Sequence, residues 1–294
     1  MTAPSIFTDA TCDLPVAAYE QYNIHSVPLK VMFGDEVYTS GVDMDMAAFL
    51  ARLEQGDVQP STESPAVEDF VTRYQAAGAE DQPILSIHIS QGLSQTVARA
   101  RRAAVQLQNQ QRIEVWDSQT VSGGLGLLVL MAARAAQAGY TIEQIVPLLE
   151  PTFEATNFLF CVDDLTYLHR GGRIGRVSYH VAHTLRIKPI ITVSKSGETR
   201  GTYVPTKERV NSLAKAVGAF VRETVREAGA QAAIRALALY SDEYSFHLAD
   251  QLMDELRQRL DCVYLDKAQT TPVLTAHVGP SGLAVAYSVG DWPV

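Results

Sequence analysis

Residues 83–116 read PILSIHISQGLSQTVARARRAAVQLQNQQRIEVW and contain the pattern that decides the fold. An apolar run at Pro83–Ile89 predicts a buried strand, and the loop SQGLSQT follows it. A helix is predicted from about Ser94 to Gln108, and a second strand at Arg112–Trp116. Two strands joined by a helix of this length favour a parallel βαβ unit.

The flanking segments extend this pattern on both sides. SIFT at the N-terminus predicts a strand, residues 27–33 and 36–40 around Gly34-Asp35 predict a hairpin, and Ser122–Gln137 predicts a long helix. Asp43 and Ser64 are predicted to cap helices. The first half is therefore predicted to be a parallel-sheet α/β domain.

The second half predicts a mixed sheet with helices on one side. Strands are expected at Asn157–Val162, Pro189–Val193, Thr199–Val204 and near the end of the chain, with a long helix over about Thr206–Ala228. We place a domain boundary near residue 154, which gives domains of 1–154 and 155–294. No linker marks the boundary, so close packing of the two domains is expected.

Composition excludes several classes of function. The 294 residues are 47% hydrophobic and carry a net charge of −9, which argues against a nucleic-acid partner because such a protein needs a basic face. Three widely spaced cysteines predict reduced thiols in a cytoplasm. The longest apolar stretch, Gly123–Ala133, is too short to span a membrane, so we expect a buried helix and no membrane insertion.

Polar residues before two predicted helices are candidate ligands for an anion. A capping role explains Ser64 in Ser61-Thr62-Glu63-Ser64-Pro65 but leaves Thr62 unexplained. Ser94 follows a buried strand, where α/β sheets place ligands and where a helix presents free amides. A role for Ser94 as an N-cap alone stays open.

Two further motifs carry candidate groups. In LHRGGRIGR, Arg170, Arg173 and Arg176 form either an anion fork or solvated charges after a helix C-cap. His277, predicted in a Gly/Pro turn, can donate a hydrogen bond to a buried oxygen.

The chain offers little support for metal or covalent chemistry. His180 and His183 have helical spacing for a metal, but no further ligand lies near them, so no metal is predicted. Asp9 and Asp13 suit capping better than a cation. The sequence contains no P-loop, dinucleotide fingerprint or recognisable triad.

Taken together, the segments resemble the DegV family of bacterial fatty-acid-binding proteins. The matching pieces run in the family's order from residue 6 to about 285: FTDATCDLP, VPLKVMFGDEVY, PSTESP, ISQGLSQT, VWDSQTVSGGLGLLV, DDLTYLHRGGRIGR with IKPII, and HVGPSGL. The ordered set covers nearly the whole chain.

The resemblance implies two α/β domains that enclose one long-chain fatty acid. It implies a non-catalytic, cytoplasmic subunit without a cofactor, which presents the acid to a separate ATP-dependent kinase subunit that forms an acyl phosphate for phospholipid synthesis. The carboxylate-binding residues would be Thr62, Ser94 and His277, and Arg170 and Arg173 would face a partner or serve the structure.

The chain departs from the family at two positions. Gln95 replaces a common glycine beside Ser94, and Pro205 stands where relatives tend to carry an arginine in a region associated with the kinase. Alternatives are a stand-alone phosphotransferase or esterase, or a lipid-sensing regulatory module.

Overall fold

The computed structural model describes residues 2–56, 58–77, 82–175 and 187–294. The strands are β1 Ser5–Asp9, β2 Ile24–Val27, β3 Lys30–Phe33, β4 Glu36–Thr39, β5 Pro60–Glu63, β6 Ile84–His88, β7 Ile113–Asp117, β8 Thr156–Val162, β9 Lys188–Val193, β10 Tyr203–Val210, β11 Ala233–Tyr240, β12 Asp261–Gln269 and β13 Gly282–Val289. The helices are α1 Val16–Gln21, α2 Met46–Glu54, α3 Val67–Ala77, α4 Thr96–Leu107, α5 Ser122–Gln137, α6 Ile142–Ala155, α7 Thr166–Arg170, α8 Leu213–Ala228, α9 Glu243–Arg259 and α10 Pro272–Val278, with a 3₁₀ turn at Gly197–Thr199.

The first sheet confirms the predicted parallel α/β arrangement. Its four strands have the order β2-β1-β6-β7, and every neighbouring pair is parallel. Residues on β1 and β6 are buried throughout, as expected for strands covered on both faces. A capping box formed by Thr141 and Gln144 is present at the start of α6.

A small antiparallel sheet, β4-β3-β5, projects from this domain. The hairpin around Gly34 is confirmed, but the single strand predicted at Val27–Phe33 is wrong. Val27 ends β2 opposite Asp9, while Lys30 begins β3 in the other sheet. Pro28 lies at the break, where its missing N–H cannot join a ladder. The PSTESP segment, predicted as a loop, supplies β5, which pairs with β3.

Two predicted helix caps are also wrong. The side chain of Asp45, rather than Asp43, accepts the Ala48 N–H at the start of α2. Asp43 accepts the Thr39 N–H in the preceding turn. Helix α3 begins at Val67, so Ser64 does not cap it and its hydroxyl is available for other contacts.

The C-terminal sheet has six strands in the order β10-β9-β8-β13-β11-β12. Only β11 and β12 are parallel, so the predicted mixed sheet is confirmed. The prediction that helices cover only one side of this sheet is wrong. Helices α8 and α9 pack on one face, and the buried helix α5 packs on the other. A Cβ on Gly123 would lie 2.8 Å from Leu239 and 2.9 Å from Ala286, so this glycine permits the close approach of α5.

Strand pairing corrects the predicted helix over Thr206–Ala228. Residues 203–210 form β10, where Arg209 and Val210 pair with Pro189 and Lys188 of β9. The helix α8 starts at Leu213 after Ser212, whose hydroxyl accepts the Lys215 N–H. A further helix, α10, was not predicted.

Core packing joins the two halves of the chain. Ala155 ends α6 and Thr156 begins β8, so the element order changes close to the predicted boundary. One hydrophobic cluster nevertheless contains residues of β1 and β6 together with residues of β8, β11 and β13. The division into 1–154 and 155–294 stays a prediction.

Within the described ranges, no helix is long and apolar enough to cross a bilayer. The same residues contain no group of three or more His, Cys, Asp or Glu side chains placed to hold a metal ion. His180 and His183, with the helical spacing noted above, and Arg176 of the candidate anion fork lie outside the described residues.

Candidate ligand site

Thr62 and His277 meet across the two halves of the molecule. Thr62 lies on β5, and His277 lies in the last turn of α10, not in the predicted turn. The Thr62 Oγ1 and His277 Nε2 atoms are 2.8 Å apart and form a hydrogen bond. Helix α10 packs against β3 and β5, and this contact brings the two side chains together.

Ser94 belongs to the loop between β6 and α4, and this loop places it in the same pocket. Its hydroxyl is 3.0 Å from the Ser64 hydroxyl and 2.8 Å from that of Thr96. Gln95 occupies the N-cap position of α4, and its side chain caps nothing. Gln95 is exposed, so it adds no bulk to the pocket.

Thr62, Ser64, Ser94 and His277 line one pocket, which together with its opening to solvent comprises about 500 Å³ of atom-free space. We call it the polar pocket. Thr11 and Arg173 also line it, and apolar side chains such as Leu29 and Ile89 complete its wall. Hydroxyls and imidazole N–H groups donate to oxygen acceptors, and a carboxylate is such an acceptor.

His277 is neutral at pH 7 in this setting. Burial, together with the nearby positive charge of Arg173, lowers the pKa of His277 to about 4. A neutral imidazole carries one N–H, and Nε2 is the nitrogen that faces Thr62. Nδ1 is buried and has no hydrogen-bond partner among the described residues. The tautomer with hydrogen on Nε2 gives the pocket a donor without giving it a charge.

Close contacts at two glycines hold this arrangement in place. A Cβ on Gly171 would lie 2.6 Å from His277 Nδ1, so the first glycine of the HRGGR motif leaves room for the imidazole. A Cβ on Gly92 would lie 3.0 Å from the carbonyl oxygen of Gly201. The loop that carries Ser94 therefore packs directly on the turn between β9 and β10.

The predicted arginine fork is present only in part. Arg173 lines the polar pocket, and its guanidinium donates to the Gly171 carbonyl oxygen at 2.6 Å. Arg170 is exposed and is not part of the pocket wall. Pro205 lies in the edge strand β10 just before a register shift, and edge strands and bulges are where sheets tolerate proline.

A second cavity adjoins the polar pocket. It lies between the start of α5 and the six-stranded sheet and, together with its opening to solvent, comprises about 390 Å³ of atom-free space. We call it the apolar cavity because side chains such as Phe158, Phe160 and Leu239 dominate its lining. Three residues line both spaces: Tyr203, Leu274 and Val278. One space offers hydroxyl and imidazole groups and the other mostly apolar side chains, the pairing that a ligand with a polar head and an apolar tail would need.

Helix α5 contributes mainly core. Residues 123–133 are buried, and only Val121 and Ser122 at its start line the apolar cavity. The prediction that Gly123–Ala133 forms a buried helix is confirmed. Tyr203, Leu274 and Thr11 were not singled out from the sequence, because no local pattern marks residues that meet only through the tertiary fold.

Asp9 and Asp13 hold structure together around the site. The Asp9 carboxylate accepts hydrogen bonds from Thr11, Ile89 and His88. Burial would raise the pKa of Asp9, but these bonds keep it below its usual value. Asp13 accepts from the Ser122 hydroxyl at 2.6 Å and from the Thr271 N–H at 3.2 Å, so it joins the starts of α5 and α10.

Hydrogen bonds link Ser86, His88 and Asp9 in the order of a hydrolase triad. Ser86 Oγ lies 2.7 Å from His88 Nε2, and His88 Nδ1 lies 3.0 Å from Asp9 Oδ2. All three residues are fully buried, and Ser86 is also bonded to Tyr74. None of the three lines either cavity, so this serine does not meet a bound ligand.

Comparisons with known proteins extend along the whole chain. A DegV domain-containing protein of Deinococcus radiodurans is 33% identical over 285 residues, which cover 96% of this chain and 97% of that protein. The structure reported as fatty acid binding of a DegV family protein from Thermus thermophilus has a TM-score of 0.87 and 28% identity, and covers 98% of this chain and all of that one.

A second structure shares the fold at lower identity. DegV of Bacillus subtilis, described as a fatty acid binding protein, has a TM-score of 0.85 and 23% identity over 99% of this chain and all of its own. The family model described as "Uncharacterised protein, DegV family" matches residues 4–289. This match spans all three sheets and every residue of the polar pocket, and the chain belongs to the DegV family.

Proposed function

We propose that this chain binds one long-chain fatty acid, with its carboxylate in the polar pocket and its tail in the apolar cavity. The observation that carries the proposal is the shared wall of Tyr203, Leu274 and Val278, which places the two spaces directly side by side. The relative from Thermus thermophilus, reported to bind fatty acid, supports the same ligand class.

The polar pocket suits a carboxylate better than a phosphate. Thr62, Ser94 and His277 offer neutral donors, and Arg173 is the only cationic side chain in the described lining. Phosphate sites more often recruit several arginines or lysines, which match the higher charge. The hydrogen bonds would spare the carboxylate an unpaired burial and fix its orientation.

The tail would supply most of the affinity. Burying an acyl chain contributes roughly 0.8 kcal/mol per CH₂, so a chain of about 16 carbons gains on the order of 10 kcal/mol. The aromatic rings of Phe160 and Tyr203 are in contact, with centroids 4.9 Å apart, and form part of the surface that the tail would meet.

The experiment is an organic extraction of the purified protein followed by mass spectrometry. We expect about one equivalent of fatty acid, or uptake of one equivalent after delipidation. A protein that yields no lipid and takes up none would rule the proposal out.

We further propose that the chain is a non-catalytic subunit that presents the carboxylate to an ATP-dependent kinase. Exposed Arg173 at the pocket is the group that a partner would meet first. With ATP and fatty acid, the chain alone is expected to form no acyl phosphate, and addition of a purified bacterial fatty-acid kinase subunit is expected to start its formation.

Acyl phosphate formation or ester cleavage by the chain alone would favour a stand-alone enzyme. Binding to a protein other than a kinase would favour a lipid-sensing module.

A further inference from the structure

The apolar cavity contains a small polar patch. Most of its lining is apolar, but Ser122, Ser241 and Thr270 also line it. Their hydroxyls come from the start of α5, the end of β11 and the residue after β12. Hydroxyls in the wall of an acyl-chain site need a partner, because a buried polar group without one is costly.

The Ser241 hydroxyl lacks a good partner. Ser241 is only 1% exposed. Among the described residues, its Oγ has contacts of 3.5 Å to the Gly282 carbonyl and 3.4 Å from the Thr270 hydroxyl. Both are longer than the roughly 2.5–3.0 Å of an ordinary O–H···O hydrogen bond. The hydroxyl is thus buried with two long hydrogen bonds and none of normal length among the described residues.

Gly282 leaves this hydroxyl open to the cavity. Gly282 lines the cavity beside Ser241. A Cβ at this position would lie 3.1 Å from Ser241 Oγ, so any other residue would crowd the hydroxyl. The absence of a side chain at Gly282 gives a ligand atom access to Ser241.

The patch lies well away from the carboxylate. Thr270 precedes α10, and His277 is in the last turn of that helix. His277 is six positions after Thr271, which corresponds to a rise of about 9 Å along a helix. An extended hydrocarbon built from C–C bonds of about 1.5 Å covers that distance in roughly seven bonds. On this spacing, the patch would face a long acyl chain near its middle.

We propose that the apolar cavity is a binding site for a fatty acid that carries a hydroxyl group near the middle of its chain. The inference rests on the proposed function and adds the class of acid to it. Ser241 is the specificity-determining residue, since its hydroxyl can both accept from and donate to the hydroxyl of the ligand. Thr270 is the second partner, and its hydroxyl is also hydrogen-bonded to that of Thr275 at 3.1 Å.

The physical reason is a difference in hydrogen bonding. A saturated chain places methylene groups against Ser241 and leaves its hydroxyl with two long contacts. A mid-chain hydroxyl supplies a partner at normal distance, and its own burial is compensated by Ser241 and Thr270. A hydroxyl at either end of the chain lies away from the patch.

The test is a displacement titration with the full-length, delipidated protein. Octadecanoic acid and its 2-, 10- and 18-hydroxy derivatives compete against a fluorescent fatty acid. We expect the 10-hydroxy acid to bind about fivefold more tightly than octadecanoic acid, as one additional buried hydrogen bond provides. The 2- and 18-hydroxy acids are expected to bind no better than octadecanoic acid.

Variants assign the preference to residues. Ser241→Ala and Thr270→Val are expected to abolish it or reverse it. Ser288→Ala is the matched control, because Ser288 is a fully buried serine of the same sheet whose hydroxyl bonds to Arg235 and does not line the cavity. This control is expected to keep the preference. The preference is the ratio of the affinities for the 10-hydroxy acid and octadecanoic acid, measured on the same variant. A general loss of stability lowers both affinities and leaves their ratio unchanged.

The possible results distinguish failure of this inference from failure of the proposed function. Equal or weaker binding of the 10-hydroxy acid by the unaltered protein overturns the inference while the proposed function stands. A preference that persists in both cavity variants overturns the role of Ser241 and Thr270. If no acid displaces the probe or binds directly, the proposed function fails, and the inference fails with it.

Discussion

Gly171 lies against the imidazole of His277, and a Cβ at Gly171 would come within 2.6 Å of His277 Nδ1. The contact joins α7 to α10 and fixes the ring whose other nitrogen bonds to Thr62. The position of His277 therefore depends on a glycine more than a hundred residues earlier in the chain.

Gly171→Ala is expected to displace the imidazole and weaken fatty-acid binding by about tenfold, since a contact this short forces the neighbour to move. Gly218→Ala is the matched control. It lies within α8, where the added Cβ would meet only the end of the Arg222 side chain at 3.4 Å. Alanine in a helix interior stabilises by up to about 1 kcal/mol relative to glycine. Titration of both variants checks the prediction, and equal affinities would contradict it.

Ser94→Ala and His277→Ala are expected to weaken fatty-acid binding by roughly tenfold each, the effect of losing one hydrogen bond to a charged group. Neither is expected to weaken binding of the corresponding methyl ester, which lacks the charge. Direct titration with the acid and its ester separates the headgroup contribution from the tail contribution. Equal losses for acid and ester would remove these residues from the headgroup site.

His277 gives the folded protein a defined pH dependence. Its pKa is about 4 in the folded state, below the value of about 6.5 for an unfolded histidine. Between these values the unfolded chain binds more protons, so the free energy of unfolding falls as pH falls from 6.5 to 4. The expected contribution is up to about 3 kcal/mol. His277→Gln should lose this component in urea titrations at several pH values, and an unchanged pH profile would contradict the burial of the ring.

Asp13 is expected to act with the opposite sign. Burial raises its pKa to about 7, and the hydrogen bonds from Ser122 and Thr271 only partly offset this. Because the folded pKa lies above the unfolded one, the stability contribution is present at low pH and is lost as pH rises to about 7. The unaltered protein loses this contribution as pH rises from about 4 to 7, and Asp13→Asn does not. The free energy of unfolding of Asp13→Asn, relative to that of the unaltered protein, should therefore increase over this range. A difference that is constant across this range would show that Asp13 ionises normally.

The parallel sheet was predictable from sequence because β1, β6 and β7 are short apolar runs followed by helices with clear periodicity. Residues 206–210 were not, because Lys207, Glu208 and Arg209 suit a helix by composition, and only pairing with β9 makes them a strand. Helix α10 was missed although Pro272 at its start and Gly279 after its end, with φ of +85°, are ordinary boundary signals.

The site was predictable in part. Thr62, Ser94 and His277 were singled out, and the structure places all three around one pocket. Their role as carboxylate ligands stays a prediction. The apolar cavity could not be predicted, since Phe158, Tyr203 and Leu274 come from separate elements and look like ordinary core residues in the sequence.

Binding of a fatty acid through its carboxylate is tested most directly by a calorimetric titration of the delipidated protein with hexadecanoic acid and with hexadecanol. We expect one bound equivalent of the acid, with the alcohol binding more weakly because it cannot accept from Thr62, Ser94 and His277 as a carboxylate does. Absence of any binding of the acid, or tighter binding of the alcohol, would show that the polar pocket does not bind a fatty-acid carboxylate.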